Sequence, residues 1–203
     1  MKIVETVELL SVGDIAGTAE WRTACRHVRA AVRATVWPPG SDKFTIYPES
    51  GKQRGKGNGV LPIKIPCVTK LAALGWKVGK EARIPGGTLL TGDLDALREG
   101  QQGRIGFEWE TGNISSSHRA VNKLLLALKL DEIVGGFLVV PSRRLARYLT
   151  DRIGNIEELR PYFRLWDDTK LDRGVMQFLV VEHDAESHRV RKIPKMTAGR
   201  ALE

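Results

Sequence analysis

Residues 89–113 read LLTGDLDALREGQQGRIGFEWETGN, with acidic residues spaced two apart on either side of a Gly-Gln-Gln-Gly turn. This stretch constrains the chain more than any other. Two alternating runs joined by a short Gly-containing turn predict a β-hairpin. With the turn centred on Gln101 and Gln102, Asp95 faces Glu108, Asp93 faces Glu110 and Glu99 faces Arg104. Side chains alternate along a strand, so Asp93, Asp95, Glu108 and Glu110 are expected on one face. Leu94, Ala96, Phe107 and Trp109 are expected on the other, against a core. Opposed like charges destabilise a sheet, so four carboxylates kept together predict a bound cation. Hard oxygen donors suit Mg²⁺, with water completing its octahedron. The alternative is a solvated acidic face with no ligand. A register slip of one residue would send Glu108 and Glu110 to the side opposite the aspartates.

The rest of the chain supplies a frame for that hairpin. MKIVETVELL suits a strand, and Thr18 is a fair N-cap for a helix over about 18–36, with Trp21, Cys25, Val28 and Val32 at helical spacing. Trp37-Pro38-Pro39-Gly40 ends it. Residues 40–59, rich in Gly and basic side chains, predict a flexible loop, and Lys52, Arg54 and Lys56 make it a candidate arm for a phosphate backbone. A helix over about 65–74 ends at Gly75. GWKVGKEARIPGG reads as strand and turn. After the hairpin, Ser115, Ser116 and Ser117 are expected to cap a helix through HRAVNKLLLALKL, and GFLVVP is a short buried strand. Residues 143–153 and 156–163 look helical, QFLVVEH is a final strand, and the basic tail from about Arg189 is expected to fray.

Thirty-two Lys and Arg against 24 Asp and Glu give a net charge of +8, which favours a polyanionic partner. The apolar runs are too short for a membrane span, and Glu5 and Glu8 interrupt what would be a signal's apolar segment. Cys25 and Cys67 have neither disulfide nor metal-ligand spacing, so they read as reduced thiols of a cytoplasmic protein. Length and composition predict one domain over 1–203.

Gly92-Asp93-Leu94-Asp95, a turn, and then Phe107-Glu108-Trp109-Glu110 resembles the PD-(D/E)XK nuclease core. In that core the Asp and the first Glu hold a metal, and the residue two after that Glu is usually Lys. Here it is Glu110, as in the BamHI kind of type II restriction endonuclease, and a wider resemblance points to the related BglII and BstYI kinds. PIKIPCVTKLAALGWK, preceded by a basic Gly-containing loop, is similar to that group's helix ending in Leu-x-x-x-Gly-Trp. GFLVVPSRRLARYLTDRIGNIEELRPYF resembles its strand, Pro and following helix, and MKIVETVELL is also similar to its N-terminal strand. The similarity spans most of the chain in the same order.

The resemblance implies an α/β (α+β) fold with a central mixed β-sheet flanked by helices. It implies Mg²⁺-dependent, site-specific double-strand cleavage of DNA by a homodimer, with a cognate DNA methyltransferase as a genetic rather than a physical partner. Asp95 and Glu108 would ligate Mg²⁺ with the carbonyl of Trp109, Asp93 serving in place of Asp95 as the alternative. Glu110 would orient or deprotonate the attacking water. Asn113 and Ser115 to Ser117, at a helix start, suit a phosphate. Arg119 and Lys123, one turn apart, and Arg143 and Arg144, just after a strand, are further candidate DNA contacts. The rival readings are another PD-(D/E)XK nuclease, of the repair, junction or nicking kind, and a non-catalytic basic DNA-binding protein.

Overall fold

The computed structural model describes residues 1–53, 55–84, 92–150 and 152–195. Its centre is a six-stranded mixed sheet in the order β1-β7-β6-β5-β4-β3. The inner strands β5 (Ile105–Trp109), β6 (Gly135–Pro141) and β7 (Gly174–Glu182) run parallel. β1 (Lys2–Val12) pairs antiparallel with β7, and β4 (Ala96–Arg98) and β3 (Lys77–Val78) extend the other side antiparallel. β2 (Thr45–Ile46) and β8 (Ala185–Glu186) form a separate parallel pair. Every residue of β6 is buried, as a strand with parallel neighbours and helices on both faces requires.

The two faces are covered by different helices. On one lie α1 (Ala19–Arg33) and α2 (Leu61–Ala73), packed with Phe107, Trp109, Phe137 and Val139. The Thr18 hydroxyl caps α1 by accepting from the N–H of Trp21 at 3.1 Å. Trp21 stacks on Phe137 with ring centres 4.3 Å apart. Gly135 makes that approach possible, since a Cβ there would stand 2.6 Å from the Trp21 ring. On the other face α3 (Ile114–Lys129) packs Val121, Leu124, Leu125 and Leu128 against Leu138, Val140 and Phe178. The crossover from β5 through α3 to β6 is a βαβ unit, and it carries Glu108 and α3 to the same end of the sheet.

Several expectations need correction. α2 begins at Leu61, helped by Pro62 in its first turn, where a missing N–H costs nothing. α3 is capped by Asn113, not by Ser115 to Ser117, its side chain accepting from the N–H of Ser116 at 2.9 Å. The helix expected over 143–153 stops after α4 (Arg143–Ala146). The one expected over 156–163 is broken into α5 (Ile156–Leu159), a 3-10 turn at Arg160–Tyr162 and α6 (Phe163–Trp166); Pro161, without an N–H, sits at the break.

The segment expected to be a flexible loop is tied down. Gly51 N–H donates to the Arg147 carbonyl at 2.9 Å, Asn58 N–H to that of Tyr148 at 2.8 Å, and Gly57 N–H to Glu49 at 2.9 Å. Lys52, Gln53 and Gly55 remain at an exposed tip, while Arg54 lies outside the described residues. The tail is likewise docked up to residue 195. Ile193 is buried and its N–H donates to Asn58 Oδ1 at 3.1 Å, and the Arg191 carbonyl accepts from the Trp37 indole at 2.9 Å.

Candidate active site

The hairpin pairs Ala96 with Phe107, Leu97 with Gly106 and Arg98 with Ile105, the register expected from the turn. The paired part of β4 is only three residues long, so alternation fails before it. Leu94 packs on the α3 face with Leu97, not with Ala96, Phe107 and Trp109. Asp93 is exposed; what it contributes is its backbone carbonyl. The four-carboxylate face therefore reduces to Asp95, Glu108 and Glu110.

Asp95 is placed by the edge of β5. Glu110 N–H donates to the Val139 carbonyl at 2.8 Å on the β6 side, so the backbone groups of Trp109 point the other way, toward β4. There Asp95 Oδ2 accepts from the Trp109 N–H at 2.8 Å. The other oxygen, Oδ1, pairs with the ammonium of Lys64 from α2. Glu108 is buried and its Oε1 lies 2.5 Å from Lys123 Nζ of α3. Glu110 accepts from the Gly112 N–H at 2.5 Å.

Burial pushes the Glu108 carboxyl above the usual carboxylate range. Asp95 adds to the rise, and the Lys123 and Lys64 ammoniums oppose it. Burial also raises Glu110, against the Gly112 N–H, with Asp95 raising it further and Lys64 and Arg119 lowering it. Glu108 and Glu110 thus both feel the charge of Asp95.

Among the described residues no three His, Cys, Asp or Glu side chains gather closely enough to form a metal cage. A hard divalent cation does not need one. Mg²⁺ is commonly held by one or two carboxylates with several waters. Asp95 and Glu108, the first raising the proton affinity of the second, with the Trp109 backbone on the Asp95 side, fit that donor set.

The remaining candidates divide. Ser115 and Arg119 are exposed at the start of α3, with Ser116 half-buried and Asn113 exposed as its cap. Ser117 is buried and Lys123 is consumed by Glu108, so neither presents itself to a backbone phosphate. Lys52, Lys56 and Arg143 are exposed. Arg144 is engaged by Glu182 at 3.3 Å and Glu186 at 2.8 Å. Lys52, Arg143 and Arg147 line one open cavity of about 810 Å³ beside Tyr148. Sequence reasoning missed Lys64, whose signal is a lone cation in the apolar run LPIKIPC.

Comparison with known proteins agrees with this architecture. The family model described as restriction endonuclease BamHI matches residues 1–200. The type II restriction enzyme OkrAI of Oceanobacter kriegii is 39% identical over 202 residues, covering 100% of both chains. The type II restriction enzyme BamHI of Bacillus amyloliquefaciens is 36% identical over 203 residues, covering 96% of this chain and 88% of that one. The crystal structure of the restriction endonuclease BglII complexed with a DNA 16-mer superposes with a TM-score of 0.60 at 12% identity, covering 95% of this chain and 86% of that one; at that identity it speaks for the fold. With the family model spanning almost the whole sequence and two relatives above a third identity covered to 88% or more, the chain belongs to the BamHI family of type II restriction endonucleases.

Proposed function

We propose that this enzyme cuts both strands of DNA at a specific site, with Mg²⁺ held by Asp95, Glu108 and the carbonyl of Trp109. The observation that carries the reading is the hydrogen bond from Trp109 N–H to Asp95, which sets the Asp beside Glu108 at the end of the parallel strands. The bound metal would lower the pKa of a water and offset charge on the scissile phosphate. Glu110 takes the proton of the attacking water. Its raised proton affinity makes it a better base than an ordinary carboxylate, and the Gly112 N–H keeps it aimed. Asp93, with its side chain exposed, is left without a ligand's role.

Asn113, Ser115, Ser116 and Arg119 would meet the DNA beside this site, and Lys52, Lys56, Arg143 and Arg144 would meet its backbone. Arg144 would first have to leave Glu182 and Glu186. A net charge of +8 supports attraction to the polyanion. A palindromic duplex site is cut on both strands most simply by a two-fold homodimer, and a DNA methyltransferase encoded nearby would protect the host. The described helices include none long and apolar enough to cross a membrane.

The test is digestion of a sequenced plasmid with and without Mg²⁺. Discrete fragments with a single end sequence are expected from the wild type, and none from Glu108→Ala, which should still bind duplex DNA in Ca²⁺. A nicked product or a smear would favour a repair or nicking nuclease. Wild-type cleavage by Glu108→Ala would remove Glu108 from the mechanism.

A further inference from the structure

Lys123 is unlike an ordinary surface cation. It sits on the buried stripe of α3 with Ala120, Leu124 and Ala127, and its side chain is only 10% exposed, that of Glu108 9%. A buried ammonium is costly unless every proton finds a strong acceptor. Lys123 Nζ has two such partners on different segments. One is Glu108 Oε1 on β5 at 2.5 Å, and the other is the Asp93 carbonyl, two residues before Asp95, at 2.9 Å. Lys64 differs: its side chain is 34% exposed, and among the described residues it holds Asp95 alone. Lys123 is thus the ammonium that joins both halves of the acidic pair.

We propose that Lys123 is a positioning residue for the metal ligands. Its ammonium fixes Oε1 of Glu108 and leaves Oε2 as the oxygen offered to a divalent cation. Through the Asp93 carbonyl it also holds the segment that presents Asp95. This rests on the reading of Asp95 and Glu108 as the metal-binding pair. A glutamate has three side-chain rotors, and fixing one oxygen in a charge-assisted hydrogen bond removes most of that freedom before the cation arrives. Partners of this kind orient ligands, and losing one typically costs about 10–100-fold in metal affinity. Lys123 touches neither DNA nor the reacting phosphate, and it stays on Glu108 when the cation binds. The opposing idea, an ammonium that merely fills the site until metal displaces it, has the opposite sign: removing it would tighten cation binding.

Terbium(III) is the probe, since an indole near a bound ion sensitises its luminescence and Trp109 follows Glu108 directly. The wild type is titrated beside Glu108→Ala, Lys123→Gln and Lys123→Arg, each checked for cooperative melting. Expected are Glu108-dependent binding in the wild type and at least a tenfold weaker affinity in Lys123→Gln. Lys123→Arg, which keeps the charge and a donor, should recover a large part of it. Equal or tighter binding by Lys123→Gln overturns the role of Lys123 while leaving the metal reading intact. Wild-type binding that ignores Glu108→Ala overturns both. A second measurement needs no folded variant at Gln. In the wild type, the slowly exchanging ammonium signal of Lys123, assigned by its loss in Lys123→Arg, should persist in saturating Ca²⁺. Its disappearance on adding Ca²⁺ would mean that the metal displaces the lysine, against the proposal.

Discussion

Asp95 and Trp109 are joined by a 2.8 Å hydrogen bond from the backbone N–H of one to the carboxylate of the other, across a hairpin whose paired strand begins only at Ala96. The side chain thereby takes the place a strand carbonyl would otherwise have. Asp95 accordingly has a structural contact and a charge to offer at once, and substitutions can separate the two. In Asp95→Asn the amide oxygen can still accept from Trp109, so the protein should melt near the wild-type temperature. Plasmid cleavage should fall on the order of a hundredfold or more, as loss of several kcal/mol of metal-borne stabilisation implies. Unchanged cleavage would take Asp95 out of the metal site.

Glu110→Gln keeps the size of the side chain and removes its basicity. A loss of roughly 10²–10⁴ in single-turnover cleavage is expected, with duplex binding preserved. Glu110→Lys restores the commoner superfamily residue but should be comparably impaired, because the Gly112 N–H that holds the carboxylate would then face another donor. Full activity in Glu110→Gln would show that this side chain moves no proton.

Gly135→Ala should destabilise the fold without touching the chemistry. The new methyl would stand 2.6 Å from the Trp21 ring, so α1 must shift off Phe137. Overpacking of this kind costs about 1–3 kcal/mol, or roughly 2–12 °C in melting temperature for a chain of this size. A wild-type Tm from calorimetry would contradict the close approach.

Desolvation alone would raise the Glu186 carboxyl, but hydrogen bonds from His183, Tyr148 and Arg144 outweigh it and hold the group down at about 2. A lowered folded-state pKa means that its contribution to stability is present above the unfolded value, 4.5, and is lost as pH falls from there toward about 2. Glu186→Gln should therefore flatten the acid limb of Tm against pH in that window. An unaltered limb would mean that those hydrogen bonds are not kept in solution.

If both strands are cut in one encounter, light scattering should give about twice 22.5 kDa before DNA is added, and no nicked circle should accumulate. Affinity for duplex should fall steeply with salt, and less steeply when Lys52 and Arg143 are both replaced by Gln. A monomer that remains monomeric on a palindromic duplex would favour a nicking enzyme.

Much of this was legible because it rests on local periodicity. The Gly-Gln-Gln-Gly turn fixed the hairpin register, Thr18 announced α1, and the unbroken apolar run of β6 announced a buried strand. What escaped needed tertiary information. Lys123 pairs by spacing with Arg119 as a basic surface pair would, but it falls on the buried stripe of α3 with Ala120 and Ala127, which turns it inward to Glu108. The basic segment after residue 40 has the composition of a loose arm. Its order comes from partners 90 and 135 residues away, since Asn58 is held by Tyr148 and Ile193. Asp93 escapes the alternation of the hairpin because pairing in β4 ends at Ala96, three residues away.

The strand order also has a consequence in time. β1 is made first, yet its partner in the sheet is β7, with Lys2 opposite Glu182. At roughly 5–20 residues per second of synthesis, the first strand waits on the order of 10–40 s for the strand that covers it. Until then β6, already beside the acidic hairpin, has an open edge. Closure of that gap is a long-range event with a high entropic threshold. A growing chain thus carries its acidic residues for roughly 3–17 s of that time before the sheet that holds them is whole, so cutting competence arrives late, with the finished fold.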